Sequence, residues 1–385
     1  MHWNARDITD WLLTDGPNMP HLEALTYALA DRLRDGGVPL WRLRLAMRTI
    51  HPLVTAVSTI WERETGPQDV LVSRHGLEQL SVFRGSPMSV ISETRAPLRR
   101  NLSDLTGEDH KAFHDLRERG ATDYLGIPLL YGDHMGGIMI AVTDASDGFC
   151  EHDIEGLSTI AMTLAPLVEV RRLAVLSKAV ASAYLGPTTG QRVLGGEITR
   201  GHVDQIDAAI MISDLRGWTR LNTERPVHEV VAIANQYFDI LDSAVKSNGG
   251  EILKFMGDGV LAIFPAEGDQ AGAVANAKAA ATSALTNQSD ALQFGVGLHV
   301  GQVLYGNVGS ETRLDFTVLG AAVNLAARIE ALCAQTECSV LMSNEFADLL
   351  DAPVQSVGRF TLKGLPEDVS VFTFCKPSIT REPSC

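Results

Sequence analysis

Cysteine is sparse and carries no pattern. The five (Cys150, Cys333, Cys338, Cys375 and Cys385) are odd in number and show no CxxC spacing, which argues against a disulfide framework or a zinc site and suits a reducing compartment. Long apolar runs are missing too. No stretch approaches about 18 uninterrupted apolar residues, and the opening MHWNARDITDW lacks a basic segment leading into an apolar one, so a soluble, cytoplasmic chain with no membrane partner is expected. Positive charge is in deficit, with 32 Lys+Arg against 47 Asp+Glu and a net charge of −15. That argues against an extended nucleic-acid surface but leaves room for one nucleotide bound through metal ions. Internal repeats and low-complexity tracts are absent. What remains is 385 residues that are 45% hydrophobic, enough for two domains with a core each.

The first domain is predicted over residues 21–167, after an N-terminal extension 1–20. LEALTYALADRLRDGG (22–37) has apolar residues at helical spacing and a Gly-Gly stop. RLRLAMRTIHPLVTAVSTIWER (42–63) reads as helix followed by strand. YLGIPLLYGDHMGGIMIAVTD (124–144) sets two apolar runs around a Gly-Asp turn, a hairpin buried on at least one face. A long apolar-periodic helix then starts near Asp147 or Asp153. Hairpin followed by terminal helix resembles the end of a GAF-type sensory domain, which implies an α/β unit with a small-molecule ligand of unknown identity. Residues 168–205 form a helical linker. Its helix is expected to end near Leu185 at the Gly-Pro break, with a stiff, turn-rich connector after it. Transducer and plain spacer are both open for this segment.

From residue 206 to 375 the pattern is strand, helix, strand, Gly257-Asp258-Gly259 turn, strand, Ala-rich helix and strand. The expected class is α+β, with a ferredoxin-like, palm-like βαββαβ core carrying its helices on one face. FGVGLHV and VLYGNV read as two strands; FTVLG, the helix VNLAARIEALC and a small β/α/β section follow, and residues 376–385 are a tail.

Asp214 ends an apolar strand, and Asp258 sits at the tip of a hairpin. At neighbouring strand ends the two carboxylates would suit a pair of Mg²⁺ ions, which take oxygen ligands and often use one or two carboxylates plus substrate phosphates. Taken singly, each is an ordinary turn aspartate. Both, however, lie within longer motifs, ISDLRGWT (212–219) and KFMGDGVLAIF (254–264), and these accompany GQVLYGNVGSETRLDFTVLGAAVNLAARIE (301–330). Together these segments resemble the catalytic domain of class III adenylyl cyclases over residues 206–374.

That resemblance implies conversion of ATP to 3′,5′-cyclic AMP and pyrophosphate with two Mg²⁺ (or Mn²⁺) ions per site. Asp214, Asp258 and Leu215 would hold the metals. The turn Leu215, Arg216, Gly217, Trp218 and Thr219 would take the triphosphate, and Lys363 its terminal phosphates. Lys254 and Thr317 would read the base, since an ammonium donates to adenine N1 and a hydroxyl can accept from the adenine amino group. Asn324 would orient the ribose and Arg328 stabilise charge on the phosphate; four apart on one helix, they share a face. The family assembles its site between subunits, so a homodimer is implied. The chain departs from the family at Ala321, often aspartate in bacterial relatives, and at Trp218, usually phenylalanine. A guanylyl or mixed-specificity cyclase stays open through Thr317, as does a catalytically silent signalling protein. Gly249-Gly250-Glu251 mimics the start of a diguanylate-cyclase motif, but it precedes the strand and is not at the hairpin tip. His110 and His114 have metal-pair spacing, yet their charged surroundings and the missing third ligand favour a solvated helix face.

Overall fold

The computed structural model describes residues 3–48, 54–68, 71–74, 84–289, 292–336 and 338–374; the expected tail, Cys375 and Cys385 fall outside them. The chain divides into two compact units, residues 1–180 and 181–385. Among the described residues no helix is long and apolar enough to cross a membrane.

The first unit runs α1 (Ala5–Thr14), α2 (Leu22–Gly36), β1 (Arg42–Arg48), β2 (Val54–Glu62), β3 (Gly66–Pro67), β4 (Leu71–Arg74), α3 (Pro87–Thr94), β5 (Leu98–Asn101), α4 (Lys111–Glu118), β6 (Asp123–Tyr131), β7 (His134–Thr143) and α5 (Glu151–Leu185). Its sheet has the order β3-β2-β1-β7-β6-β5, with β4 on β2. The expected hairpin is β6–β7, turning at Gly132-Asp133, and the expected helix is α5, where Asp153 accepts the backbone N–H of Cys150 at 3.0 Å. The helix expected from residue 42 is instead strand β1, antiparallel to both β2 and β7. RLRLAMR sends Leu43, Leu45 and Met47 into the core with α1, α2 and α5, and Arg42, Arg44, Ala46 and Arg48 take the other face; Leu, Ala, Met and Arg are all good helix formers, which masks that period of two. The opposite face carries Tyr124, Ile138, Ile140 and Val142, packed with Ile91 of α3 and Phe113 of α4. His110 caps α4 through the Ala112 N–H (3.1 Å), and His114 meets the Thr106 carbonyl at 3.1 Å. Among the described residues, no group of three or more His, Cys, Asp or Glu is placed to hold a metal.

The second unit continues α6 (Pro187–Leu194), β8 (Val203–Leu215), α7 (Trp218–Glu224), α8 (Val227–Ser247), β9 (Glu251–Met256), β10 (Gly259–Pro265), α9 (Gln270–Thr286), β11 (Phe294–Gly309), β12 (Leu314–Leu319), α10 (Ala321–Thr336), β13 (Val340–Ser343), α11 (Asn344–Asp348), β14 (Gln355–Phe360) and β15 (Val369–Thr373). The sheet order is β14-β15-β13-β11-β8-β10-β9, with β12 on β11. In the βαββαβ part both helices lie on one face, where Tyr237 and Leu241 of α8 and the alanines of α9 cover Met211, Val260, Phe264 and Val296. The other face takes α10 through Ala322 and Ala326. Gly297 makes that approach possible, because a Cβ there would stand 2.5 Å from the Glu330 backbone nitrogen. The two strands expected between residues 294 and 308 are one continuous β11.

The linker helix ends at Leu185 as expected, but the turn-rich connector holds helix α6. Gly186 takes a φ of 86° and Pro187 supplies a first helical residue whose φ is already set. Thr189 donates to Glu251 Oε1 from its backbone N–H (3.0 Å) and hydroxyl (2.9 Å), and the Tyr305 hydroxyl donates to Oε2 at 3.0 Å. Glu251, which in sequence merely follows a helix stop, is thus a buried acceptor fixing α6 to the edge strand.

Candidate active site

Strand β8 delivers Asp214 to the end of the sheet, opposite Gly259 of β10 and Gly295 of β11. The β9–β10 turn carries Asp258, whose carbonyl accepts the Leu215 N–H at 3.3 Å and so ties the two strand ends together. Beneath them Ser213 donates to the Gly295 carbonyl (2.7 Å) and accepts from Tyr237 (2.9 Å), a fully buried pair that fixes the backbone behind Asp214. Burial, then the charge of Asp258 and a side-chain hydrogen bond with it, raise the Asp214 carboxyl to about 6. Two carboxylates pressed together at a partly covered strand end, both oxygen donors, fit a hard divalent cation, which would relieve their repulsion. The Leu215 side chain is 4% exposed, so only its main-chain oxygen can face such an ion.

The turn after Asp214 differs in part from expectation. The Arg216 guanidinium donates to the carbonyls of Cys333 (3.0 Å) and Cys338 (2.6 Å), and its backbone N–H donates to Gln293 (2.8 Å). Arg216 is therefore engaged inside the fold through both its guanidinium and its backbone N–H. Gly217, with a φ of 73°, turns the chain into α7, whose first N–H groups, from Trp218 and Thr219 on, have no intrahelical acceptor.

Lys254 of β9 donates to Asp315 Oδ2 of β12 at 2.6 Å, with both side chains about half exposed. Asp315 and Thr317 are two apart on one strand and share a face, so Lys254 and Thr317 border one patch; Thr317 is 9% exposed. Asp315 went unnoticed in the sequence, although a carboxylate two residues before Thr317 was visible there. On α10, Asn324 is exposed. The Arg328 guanidinium lies 3.5 Å from where a Cβ on Gly364 would stand, which brings the Lys363 turn alongside it. The set thus gathers as Asp214 with Asp258, Lys254 with Thr317 through Asp315, and Arg328 with the Lys363 turn. Among the described residues, no hydrogen bond or ion pair joins the first and last of these groups.

A third carboxyl, Glu330, was also missed. It rests over Gly295, where a Cβ would meet its Oε1 at 2.6 Å. Burial, then the charge of Asp214, push it up to about 7, with Arg216 opposing. Such a raised acid costs the fold nothing below about 4.5, where it is protonated in both states; the cost grows between about 4.5 and 7, as the unfolded chain ionises first, and persists above. Glu330→Gln should therefore raise the thermal midpoint, measured with a chelator near pH 8, by roughly 2–4 °C. The gain should shrink towards pH 5, and a midpoint unchanged or lowered at pH 8 would contradict this account.

Residues 202–375 match the family model described as Adenylate and Guanylate cyclase catalytic domain. An uncharacterised protein of Mycobacterium tuberculosis (strain H37Rv) is 36% identical over 156 residues, 40% of this chain and 26% of that protein. The terminal-differentiation-specific adenylate cyclase of Dictyostelium discoideum is 30% identical over 176 residues, 42% of this chain and 8% of that protein. The chain thus spans about a quarter or less of the length of these curated relatives. A solved bacterial light-regulated adenylyl cyclase is 30% identical, with 44% of this chain and 90% of that one covered and a TM-score of 0.39. The guanylyl cyclase Cya2 is 29% identical, with 44% and 92% covered and a TM-score of 0.36. With Asp214 and Asp258 apposed at the strand ends, the segment from residue 202 to 375 is a class III adenylyl/guanylyl cyclase catalytic domain.

Proposed function

We propose that this domain converts ATP to 3′,5′-cyclic AMP and pyrophosphate in a site completed by a second copy of the chain. The observation that carries the chemistry is the apposed pair Asp214 and Asp258, tied together by the Leu215 N–H on the Asp258 carbonyl; the main-chain oxygen of Leu215 would complete the metal set. Bound there, two divalent ions would acidify the ribose 3′-hydroxyl and neutralise the triphosphate. The open N–H groups at the start of α7 would donate to phosphate oxygens. As the hydroxyl loses its proton, its oxygen bonds to the α-phosphorus and the bond to pyrophosphate breaks. Arg328 would stabilise the charge developing on that phosphate, Asn324 would hold the ribose, and Lys363 would meet the terminal phosphates.

Two features support a second copy. Among the described residues, no hydrogen bond or ion pair joins the metal pair to the Asn324/Arg328 pair within one chain. Apolar side chains also stand uncovered near the edge strand, with Phe255 and Met256 of β9 51% and 44% exposed and Val227 and Val231 of α8 80% and 51%. The first unit, whose sheet lies between α2/α5 and α3/α4, is proposed as a GAF-like sensory unit acting on the cyclase in a cytoplasmic setting.

A second reading, guanylyl or mixed specificity, follows from Thr317, whose hydroxyl both donates and accepts. Purified full-length chain with Mn²⁺, given ATP or GTP beside Asp258→Ala, separates the two. Cyclic AMP from the wild type alone supports the proposal, cyclic GMP at an equal rate supports the second reading, and silence in a confirmed dimer contradicts both.

A further inference from the structure

The alternation that buries Leu43, Leu45 and Met47 sends Arg42, Arg44, Ala46 and Arg48 to the other face of β1. There they meet Tyr124 of β6 and, in register across β7, Ile138, Ile140 and Val142. This face floors a cavity of about 1140 Å³ in the first unit, walled also by Met88 and Ser89 of α3 and Leu116 of α4. The volume admits an organic molecule of ordinary ligand size.

Its charges do not balance. Arg42 and Arg119 share Glu62, at 3.4 and 2.7 Å. Of the acids on the wall, Glu93 accepts the Ser89 hydroxyl at 2.6 Å and Asp115 lies 3.8 Å from Lys111. Among the described residues, the Arg44 side chain bonds Ser58 Oγ alone, at 2.9 Å, and its Nε is buried with no partner. The hydroxyl of Tyr124, a residue 3% exposed, is buried without a partner as well. Burial, then the like charge of Arg42, lower the pKa of Arg44, which puts its cationic form at a disadvantage as the cavity stands. A guanidinium keeps its proton and offers five donors in a planar fork. Leaving it desolvated and unpaired is costly, and a methionine of similar reach would pack there without that cost.

We propose that this cavity binds a small organic anion, with a carboxylate or phosphate on the Arg44 fork beside the Tyr124 hydroxyl and an apolar body on Ile138, Ile140 and Val142. An oxyanion supplies the missing counter-charge, and the three branched side chains supply a dry surface for the rest of the ligand. The class is narrower than for a purely apolar pocket: a neutral molecule of equal size would leave Arg44 unpaired.

The test uses the full chain, with thermal shift and calorimetry on phenyl phosphate, phenylacetate and neutral phenol. Either anion should raise the wild-type midpoint saturably, with phenol having little effect. Phosphate above acetate would identify the natural group as a phosphate, and the reverse as a carboxylate. Arg44→Met should weaken anion binding by about tenfold or more, yet be as stable as the wild type without ligand. Because the cyclase domain has phosphate-binding groups of its own, only the Arg44-dependent part of the shift counts. The proposal is overturned if neither anion exceeds phenol on the wild type, or if Arg44→Met binds equally well. Should that variant fail to fold, Arg44→Lys keeps the charge and loses the fork; it should bind severalfold more weakly, and unchanged affinity there is equally fatal.

Discussion

Chains carrying Asp214→Ala, mixed with chains carrying Arg328→Ala, are expected to make cyclic nucleotide that neither makes alone. Each substitution by itself should lower the rate by on the order of 10³-fold, the scale seen when charge stabilisation is removed from phosphoryl transfer. Asp214 meets Asp258 at the ends of β8 and β9, whereas Arg328 sits on α10 beside Gly364. If a site takes one group from each copy, a mixed dimer has one site with both substitutions and one with neither. Random mixing makes half the dimers mixed, so up to roughly a quarter of wild-type activity should return. The assay is product formation after co-refolding of two differently tagged chains, with mixed dimers then isolated by sequential affinity steps; the isolated mixed dimers, with one intact site of two, should reach up to roughly half of wild-type activity. No recovery in dimers so isolated would show that each chain builds its site alone.

What could be seen in the sequence beforehand depended on how locally each feature is encoded. Asp214 and Asp258 were visible because a strand end and a tight Gly-Asp turn announce themselves within a few residues. The β6–β7 hairpin and helices α5, α8 and α10 were visible for the same reason. Strand β1 was not, since Arg, Leu, Ala and Met all favour helices locally, and its alternation is decisive only once Leu43, Leu45 and Met47 are seen in the core. The contacts of Arg216, Glu251, Asp315 and Glu330 were missed for a different reason. Arg216 meets carbonyls 117 and 122 positions away, and Glu251 meets a hydroxyl 54 positions away. No window of sequence contains both ends of such a bond. The helix at residues 187–194 belongs with these, since Glu251 anchors it from the far side of β8 and α8 in sequence.

Replacing Lys254 by alanine should cut selectivity for ATP over GTP by on the order of 10²-fold, the upper range for one hydrogen bond to a charged group. Adenine presents an acceptor at N1 where guanine presents a donor, and an ammonium only donates. Asp315 should matter through Lys254: it holds the ammonium at 2.6 Å, and that contact in turn draws the Asp315 carboxyl below its ordinary range. Both side chains are nearly half exposed, so the pair adds little to stability. Its effect should appear in substrate choice, with Asp315→Asn lowering the ATP:GTP ratio of kcat/KM by about tenfold, mostly through KM for ATP. Because one residue acts through the other, Asp315→Asn should change almost nothing in a Lys254→Ala chain. Independent, additive losses would mean that Asp315 contacts the nucleotide itself, and unchanged selectivity in Lys254→Ala would move base recognition to Thr317.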